Sequence, residues 1–234
     1  MKRPELHRAE ILVLRTLRRS VSSRFNELMK PTELQSDAFK FYARRLRELG
    51  YVEKDGDGNY TLTAKGKEFA NNLDEETAMI QKQPKLSMII TVTHPEDTSR
   101  LLFQRRLRHP YYDFYGAISG PVKWGEEIEE AAARELTKQT GLTATFKVVA
   151  FYRQKDRDNE TGAILEDKLF AVVEATIEHD TLGNAWAGGH NEWMTIETYR
   201  QQEKRFASTD GILRMRAADH TYASEEAKYT HDEY

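Results

Sequence analysis

The sequence contains no cysteine among its 234 residues, so it cannot form disulfide bonds or thiolate metal sites and has no thiol nucleophile. Long apolar runs are also missing. No stretch approaches the roughly 20 apolar residues needed to cross a bilayer, and the run at residues 11–14 is too short for a signal peptide. We therefore expect a cytoplasmic protein that makes no membrane contact.

Charge is distributed unevenly along the chain. The formal net charge is −3, which does not by itself indicate nucleic-acid binding. Residues 1–72 contain 15 Lys and Arg against 10 Asp and Glu, a net of +5, which leaves −8 for the remainder. A basic first part and an acidic remainder indicate two domains with different partners, and the length allows this.

The first part shows helical periodicity followed by a hairpin pattern. Apolar residues from Leu6 to Leu17 predict an amphipathic helix. Residues 25–29 predict a short second helix, and a third runs over residues 38–49 with Ser36 as its N-cap. Two β-prone stretches flank Asp-Gly repeats and predict a hairpin, after which a helix begins near Lys65.

This order resembles the winged-helix domains of bacterial transcription regulators, as do the runs Arg-Leu-Arg-Glu-Leu-Gly-Tyr-Val and Leu-Thr-Ala-Lys-Gly. The resemblance implies that the third helix enters the major groove of DNA. The DNA-binding residues it implies are Lys40, Arg44, Arg45 and Arg47. The wing, residues 53–57, is mostly acidic and should be repelled by phosphate. A role in protein contacts, with the arginines as a solvated face, therefore stays open.

The second part is centred on residues 120–142, GPVKWGEEIEEAAARELTKQTGL. The stretch combines a glycine loop, glutamates that suit the positive end of a helix dipole, an apolar stripe with a four-residue repeat, and a glycine stop. In that order the residues are Gly120 and Gly125, Glu126 and Glu127, Ile128, Ala132 and Leu136, and Gly141. The pattern predicts a loop, a helix and a second loop.

The same stretch resembles the Nudix box: Gly, five residues, Glu, seven residues, then Arg-Glu-apolar-x-Glu-Glu-x-Gly-apolar. The residues in register are Gly120, Glu126, Arg134, Glu135, Leu136, Gly141 and Leu142. The resemblance implies a Nudix α/β/α sandwich. We predict an α+β protein with a winged-helix domain at 1–73, a linker at 74–85, a Nudix-like domain at 86–220 and a mobile acidic tail at 221–234.

Two positions depart from the box. Lys138 and Gln139 stand where the family has metal-binding glutamates, and Mg²⁺ prefers hard, anionic oxygen ligands. At ~4 Å and an effective dielectric near 20, like unit charges repel by roughly 4 kcal/mol, and a divalent ion roughly doubles that. We therefore expect no metal cofactor, no ordinary hydrolysis and no catalytic residue. If the chain is active, Glu126, Glu130 and Glu135 would act with Mg²⁺ or Mn²⁺.

The box can still bind a phosphorylated ligand. Arg134 and Lys138 are spaced i, i+4 and suit a metal-free diphosphate, with Gly120 and Glu135 beside them. In an alternative interpretation, Arg134 pairs with Glu130 and Lys138 pairs with Glu135. Gln139 should share a helix face with Glu135.

The remaining predictions concern the strands and the pocket. Strands are predicted at residues 86–92, 99–105, 145–154 and 168–177, with the first two forming a hairpin. Trp124 and Tyr152 are candidates to stack on a nucleobase, unless they simply pack. His190 and Glu192 are pocket candidates, and the alternative makes Trp193 core and Glu192 solvated.

Three functions fit these features. The preferred one is a homodimeric DNA-binding transcription regulator whose impaired Nudix domain binds an ADP-ribose-like metabolite. It resembles Nudix-related regulators of NAD metabolism, although the domain order is reversed. The alternatives are an active Nudix pyrophosphohydrolase with an unusual metal site, and a protein-interaction adaptor.

Overall fold

The structure is a computed structural model that describes residues 5–74, 77, 79–183, 186–230 and 232–234. The chain divides into two compact units, Met1–Lys82 and Gln83–Tyr234. The first unit includes most of the segment expected as a linker, residues 74–85, and within it the Gln81 N–H donates to the Asn72 carbonyl at 2.9 Å.

The described residues of the first unit form four α-helices and a three-stranded antiparallel sheet of order β1-β3-β2. The elements are α1 (Arg8–Arg18), β1 (Ser23–Arg24), α2 (Phe25–Met29), a 3₁₀ turn (Lys30–Thr32), α3 (Ser36–Glu48), β2 (Val52–Lys54), β3 (Asn59–Leu62) and α4 (Ala64–Asn71). The predicted helices and hairpin are confirmed. The predicted N-cap is wrong by one residue, because Gln35 precedes the first helical residue and Ser36 already belongs to α3.

The core of the first unit forms where the apolar stripes of its helices meet. Leu14 of α1, together with Phe39 and Leu46 of α3, is fully buried. Tyr51 and Phe69 pack edge to face with their ring centroids 5.3 Å apart. These contacts fix α3 against the rest of the unit and leave its opposite side in solvent.

The second unit contains a five-stranded mixed sheet of order β11-β8-β9-β4-β7 and a three-stranded sheet of order β10-β5-β6. The elements are β4 (Lys85–Val92), β5 (Arg100–Arg106), β6 (Tyr115–Gly116), β7 (Ile118–Pro121), α5 (Ile128–Thr140), β8 (Thr145–Asp158), β9 (Ile164–Thr176), β10 (Gly189–Thr195), α6 (Ile196–Arg200), α7 (Ala207–Ala217) and β11 (Tyr222–Tyr229). None of the helices in the described part of the chain is long and apolar enough to cross a membrane.

The five-stranded sheet is buried on both faces. Met88 and Ile90 of β4 share one core cluster with Leu136 of α5, whereas Ile89 belongs to a second cluster with Ile212 of α7. Because side chains alternate along a strand, this division places α5 and α7 on opposite faces. The result is a helix, sheet and helix arrangement, as the box resemblance implied.

The predicted hairpin between the first two strands of this unit is wrong. β4 pairs with β9 in parallel and with β7 antiparallel, and β5 pairs with β10 and β6 in the other sheet. An isolated bridge between Thr93 and Leu101 joins the two strands. The short connection between them suggested a hairpin, but the chain changes sheets there.

The prediction of a mobile tail is also wrong. Strand β11 pairs in parallel with β8, from Tyr222 opposite Phe151 to Tyr229 opposite Asp158. Tyr229 is buried beside Tyr111 and Phe114. Polar composition suggested disorder, but aromatic side chains supply the apolar surface that this strand buries.

Candidate functional site

The loop before α5 is shaped by hydrogen bonds to acidic side chains. The Lys123 N–H donates to Glu126 Oε2 at 2.9 Å, and the Glu127 N–H donates to Glu130 Oε2 at 3.2 Å. Gly125 has φ of +78°, a conformation that favours glycine. The loop and helix predicted from the sequence are therefore present.

Arg134 ties this loop to the helix. Its Nε donates to Glu126 Oε1 at 2.7 Å, its Nη2 donates to the Pro121 carbonyl at 2.9 Å, and its Nη1 donates to Glu135. The hydrogen bond from Arg134 lowers the pKa of Glu126 to about 2. The alternative pairing of Arg134 with Glu130 is wrong, because Glu130 caps the start of the helix.

Glu135 and Gln139 share a buried helix face, as expected. Gln139 Nε2 donates to Glu135 Oε2 at 2.7 Å and to the Ser119 carbonyl at 3.0 Å. A Cβ at Gly120 would lie 2.5 Å from Glu135 Cγ, so only glycine fits against this carboxylate. The box thus packs its own side chains around Glu135.

Lys138 adds a cation to this group. Its Nζ lies 3.5 Å from Glu135 Oε2, which agrees with the alternative interpretation of this residue. It also lies 5.4 Å from the centre of the Trp186 ring, and Arg108 lies 4.8 Å from the same centre. Two cations therefore flank one aromatic ring, where a cation is attracted by the ring quadrupole.

These neighbours do not suit a divalent metal. Glu135 accepts hydrogen bonds from Arg134 and Gln139 and lies beside the Lys138 ammonium. A metal ion would have to displace three donors and would meet a positive charge. Within the described residues, no group of three or more His, Asp or Glu side chains is placed to hold a metal.

A cleft of about 190 Å³ opens beside the glycine loop. Its lining includes Ser119, Gly120, the aromatic residues Tyr111, Phe170, Phe206 and Tyr229, and the charged residues Arg106, Arg108, Lys168 and Asp156. Three cations and one carboxylate face the same space, so the cleft favours an anionic ligand. Of the four predicted ligand-binding residues, Gly120 lines this cleft.

Sequence reasoning missed Asp156 and Lys168. Asp156 is buried, and this burial raises the pKa of its carboxyl while the Tyr111 hydroxyl and Lys168 oppose the rise. Burial likewise lowers the pKa of Lys168. The signal available in the sequence was the alternation of β8, in which Gln154, Asp156 and Asp158 occupy inward positions with Tyr152.

The other pocket candidates lie apart from one another. Tyr152 is fully buried, so the suggestion that it stacks on a nucleobase is wrong. Trp124 is fully exposed. His190 and Glu192 are exposed on β10. Trp193 packs partly buried against the core, and its Nε1 donates to the Asp180 carbonyl at 3.2 Å.

The predicted DNA-binding residues divide into two groups on α3. Lys40, Arg44 and Arg47 are exposed. Lys40 pairs with Asp37 at 2.9 Å and Arg44 with Glu48 at 3.6 Å.

Arg45 differs from these three, since its guanidinium lies 2.5 Å from the fully buried Glu10 carboxylate. This inward contact gives Arg45 a structural role, and its part in DNA binding stays a prediction.

Comparisons with known proteins agree with this architecture. The family model described as "NUDIX domain" matches residues 83–214, more than half of the chain, and the model described as "Winged helix-turn-helix" matches residues 9–81. An ADP-ribose pyrophosphatase of Methanocaldococcus jannaschii is 31% identical over 104 residues, which cover 40% of this chain. The match spans 62% of that enzyme's length.

Two solved structures share the fold of the second unit. The NUDIX domain of Shewanella oneidensis NrtR, complexed with ADP ribose, is 17% identical with a TM-score of 0.50, and the match covers 64% of this chain and 96% of that one. A MutT protein from Bacillus halodurans is 18% identical with a TM-score of 0.50, and the match covers 64% of this chain and 93% of that one. The chain therefore belongs to the NUDIX family and carries a winged helix-turn-helix segment before its NUDIX domain.

Proposed function

We propose that this protein is a DNA-binding transcription regulator whose NUDIX domain binds a nucleoside-diphosphate metabolite as effector. The observation that carries the proposal is the pairing of a winged helix-turn-helix segment with a NUDIX domain whose box surrounds Glu135 with cations and amide donors. The first feature supplies a surface for DNA, and the second supplies binding without an ordinary metal centre.

The DNA-binding face consists of Lys40, Arg44 and Arg47. These residues lie at i, i+4 and i+7 of α3 and share one exposed side. Exposed cations contact phosphate and make binding strongly salt-dependent. The salt bridges of Lys40 and Arg44 are exposed and cost little to exchange for phosphate contacts. The acidic wing does not contribute. We further propose a cytoplasmic homodimer that reads two half-sites.

The effector occupies the cleft beside the glycine loop. Its cationic lining matches the diphosphate of an ADP-ribose-like compound. ADP-ribose is named with two relatives: the pyrophosphatase from Methanocaldococcus jannaschii and the NrtR complex. Lys138 and Arg108, which flank Trp186, supply positive charge near the box. This charge would take the place of the metal ion on which ordinary hydrolysis by this box depends. Arg134 holds the glycine loop and acts on the ligand through that loop.

Hydrolysis is impaired because both oxygens of Glu135 already accept hydrogen bonds with which a metal ion would have to compete. Its Oε2 accepts from Gln139 and its Oε1 from Arg134. A bound diphosphate would therefore remain intact and act as a signal.

The test is reciprocal coupling between effector and DNA. Fragments of the organism's genome that the protein retains at physiological salt are sequenced, and the affinity for the best fragment is measured with and without ADP-ribose. Coupling of about 1–3 kcal/mol predicts a change of roughly 5–150-fold. An affinity that no compound in a panel of nucleoside diphosphates alters would contradict effector sensing.

An active pyrophosphohydrolase is the second candidate, supported by the identity to the pyrophosphatase from Methanocaldococcus jannaschii. It would use Glu126, Glu130 and Glu135 with Mg²⁺ or Mn²⁺. Metal-dependent release of AMP from ADP-ribose would establish this candidate. If the protein binds neither nucleotide nor DNA, the adaptor function gains support from the acidic wing.

A further inference from the structure

We propose that Asp156 selects the effector by accepting a hydrogen bond from an N–H or O–H group at the floor of the cleft. The inference rests on the proposed function, because it assigns the chemistry of the ligand that the cleft takes. Asp156 is 5% exposed and lines the cleft. Its Oδ2 accepts a hydrogen bond from the Tyr111 hydroxyl at 2.8 Å.

The other carboxyl oxygen lacks a partner. Asp156 Oδ1 is buried and has no hydrogen-bond partner of good geometry among the described residues, although the Gln154 side chain lies near enough to oppose the rise in the pKa of this carboxyl. Buried polar atoms in folded proteins are nearly always hydrogen-bonded, so this oxygen indicates a donor that arrives with a ligand. A carboxylate oxygen accepts and does not donate, which defines the required group as N–H or O–H.

The cations that line the cleft indicate the chemistry of another part of the ligand. Arg106 donates to the backbone carbonyls of Arg108 and Pro110, at 3.0 and 2.6 Å, and has no carboxylate within ion-pair distance among the described residues. Burial lowers the pKa of Arg106 to about 10, so it remains a cation at neutral pH. With Arg108 and Lys168 it forms a site for an anionic group.

Aromatic side chains form the third part of the cleft lining. Tyr111, Phe170 and Phe206 line the same cleft and provide flat apolar surface. A nucleoside diphosphate carries the matching parts: an anionic diphosphate, an apolar ring face, and either an exocyclic amino group or ribose hydroxyls as donors. The donor comes from the base or from the sugar, and ligand analogues that lack one donor or the other distinguish these two sources.

The experiment measures the affinity of the full-length protein for three probes by titration calorimetry. ADP-ribose is the reference. Its hypoxanthine analogue, IDP-ribose, replaces the exocyclic amino group with a carbonyl, and an analogue lacking the 2′-hydroxyl of the adenosine ribose removes a sugar donor. Wild type is compared with Asp156→Asn, which keeps an acceptor for Tyr111 and turns a donor toward the cleft. The control is Asp167→Asn, whose carboxylate pairs with Arg153 and does not line the cleft.

We expect wild type to bind ADP-ribose at least about tenfold more tightly than one of the two analogues, which corresponds to about 1.4 kcal/mol. Loss with IDP-ribose identifies the base as the source of the donor, and loss with the deoxy analogue identifies the sugar. In Asp156→Asn the preference should vanish, and it should reverse toward IDP-ribose if the base is the source. Asp167→Asn should behave as wild type.

Two results would overturn the inference. One is wild-type binding of all three probes with equal affinity; this comparison does not depend on the variant folding. The other is an Asp156→Asn variant that folds normally by circular dichroism and keeps the wild-type order of affinities. If no probe binds wild type at millimolar concentration, the proposed effector function fails and this inference fails with it.

Discussion

Replacing Arg45 with alanine should destabilise the first compact unit far more than replacing its neighbour Arg44. The Arg45 guanidinium lies 2.5 Å from Glu10 Oε2, and the Glu10 side chain is fully buried. Arg45 also donates to the Glu5 carbonyl at 3.0 Å. In the variant, the Glu10 carboxylate stays buried with the His7 backbone N–H, 2.8 Å away, as a neutral donor.

The expected loss follows from the burial of the Glu10 carboxylate. Removing one partner of a buried ion pair costs roughly 3–5 kcal/mol. We therefore expect Arg45→Ala to lower the free energy of unfolding by about 3 kcal/mol, the lower end of this range, because the Arg45 side chain is itself 32% exposed.

Denaturant unfolding measures this loss. All three tryptophans, Trp124, Trp186 and Trp193, lie in the second unit. Far-UV circular dichroism therefore follows both units, whereas tryptophan fluorescence follows the second. Arg44→Ala is the matched control, because its exposed pair with Glu48 should contribute less than about 1 kcal/mol. A loss in Arg45→Ala no larger than in the control would refute the reasoning.

Three further predictions concern the NUDIX domain. The double variant Lys138→Glu, Gln139→Glu should have a lower melting temperature in the absence of metal, because three carboxylates would then lie close together. Adding Mg²⁺ or Mn²⁺ should restore the melting temperature and create or raise ADP-ribose hydrolysis. Loss of an existing hydrolytic activity in this variant would contradict our account of the box. Gly120→Ala should lower the free energy of unfolding by about 1–3 kcal/mol through overpacking, and it should weaken ADP-ribose binding measured by calorimetry. The control is Gly56→Ala, which should leave both the stability and the binding unchanged because the space around its Cβ is open. Burial raises the pKa of Asp156, so the folded protein binds this proton more tightly than the unfolded chain does. The stability that the protonated group contributes is therefore lost as pH rises from about 4 through the raised pKa. Over that pH range the free energy of unfolding of Asp156→Asn should rise relative to that of wild type, and a difference between the two proteins that does not change with pH would contradict the assignment.

Periodic patterns predicted the secondary structure well. The helix of the box, α5, begins and ends where its acidic start and glycine stop indicated, and Gly141 has φ of +78°. The order of helices and strands in the winged-helix domain was predicted equally well, because its core positions repeat with helical spacing. Such features depend on residues close together in the chain, and a single sequence contains them in full.

Contacts between residues far apart in the chain could not be predicted in the same way. Arg45 shares its helix with three exposed cations, and nothing local distinguishes the one that reaches Glu10, 35 residues away. The parallel strand β11 was read as a polar tail because its partner, β8, lies far back in the chain. The cleft combines residues from six strands, from the loops beside them and from helix α7, so the position of Asp156 in it is given only by the assembled sheet.

The most direct test of the central claim is the affinity of the full-length protein for its selected genomic fragment, measured by fluorescence anisotropy at physiological salt with and without ADP-ribose. The account predicts a discrete fragment, steep salt dependence, a change in affinity of roughly 5–150-fold on adding ADP-ribose, and ligand recovered intact. Weak, uniform retention of all DNA, or ADP-ribose cleaved to AMP in the presence of Mg²⁺, would contradict it.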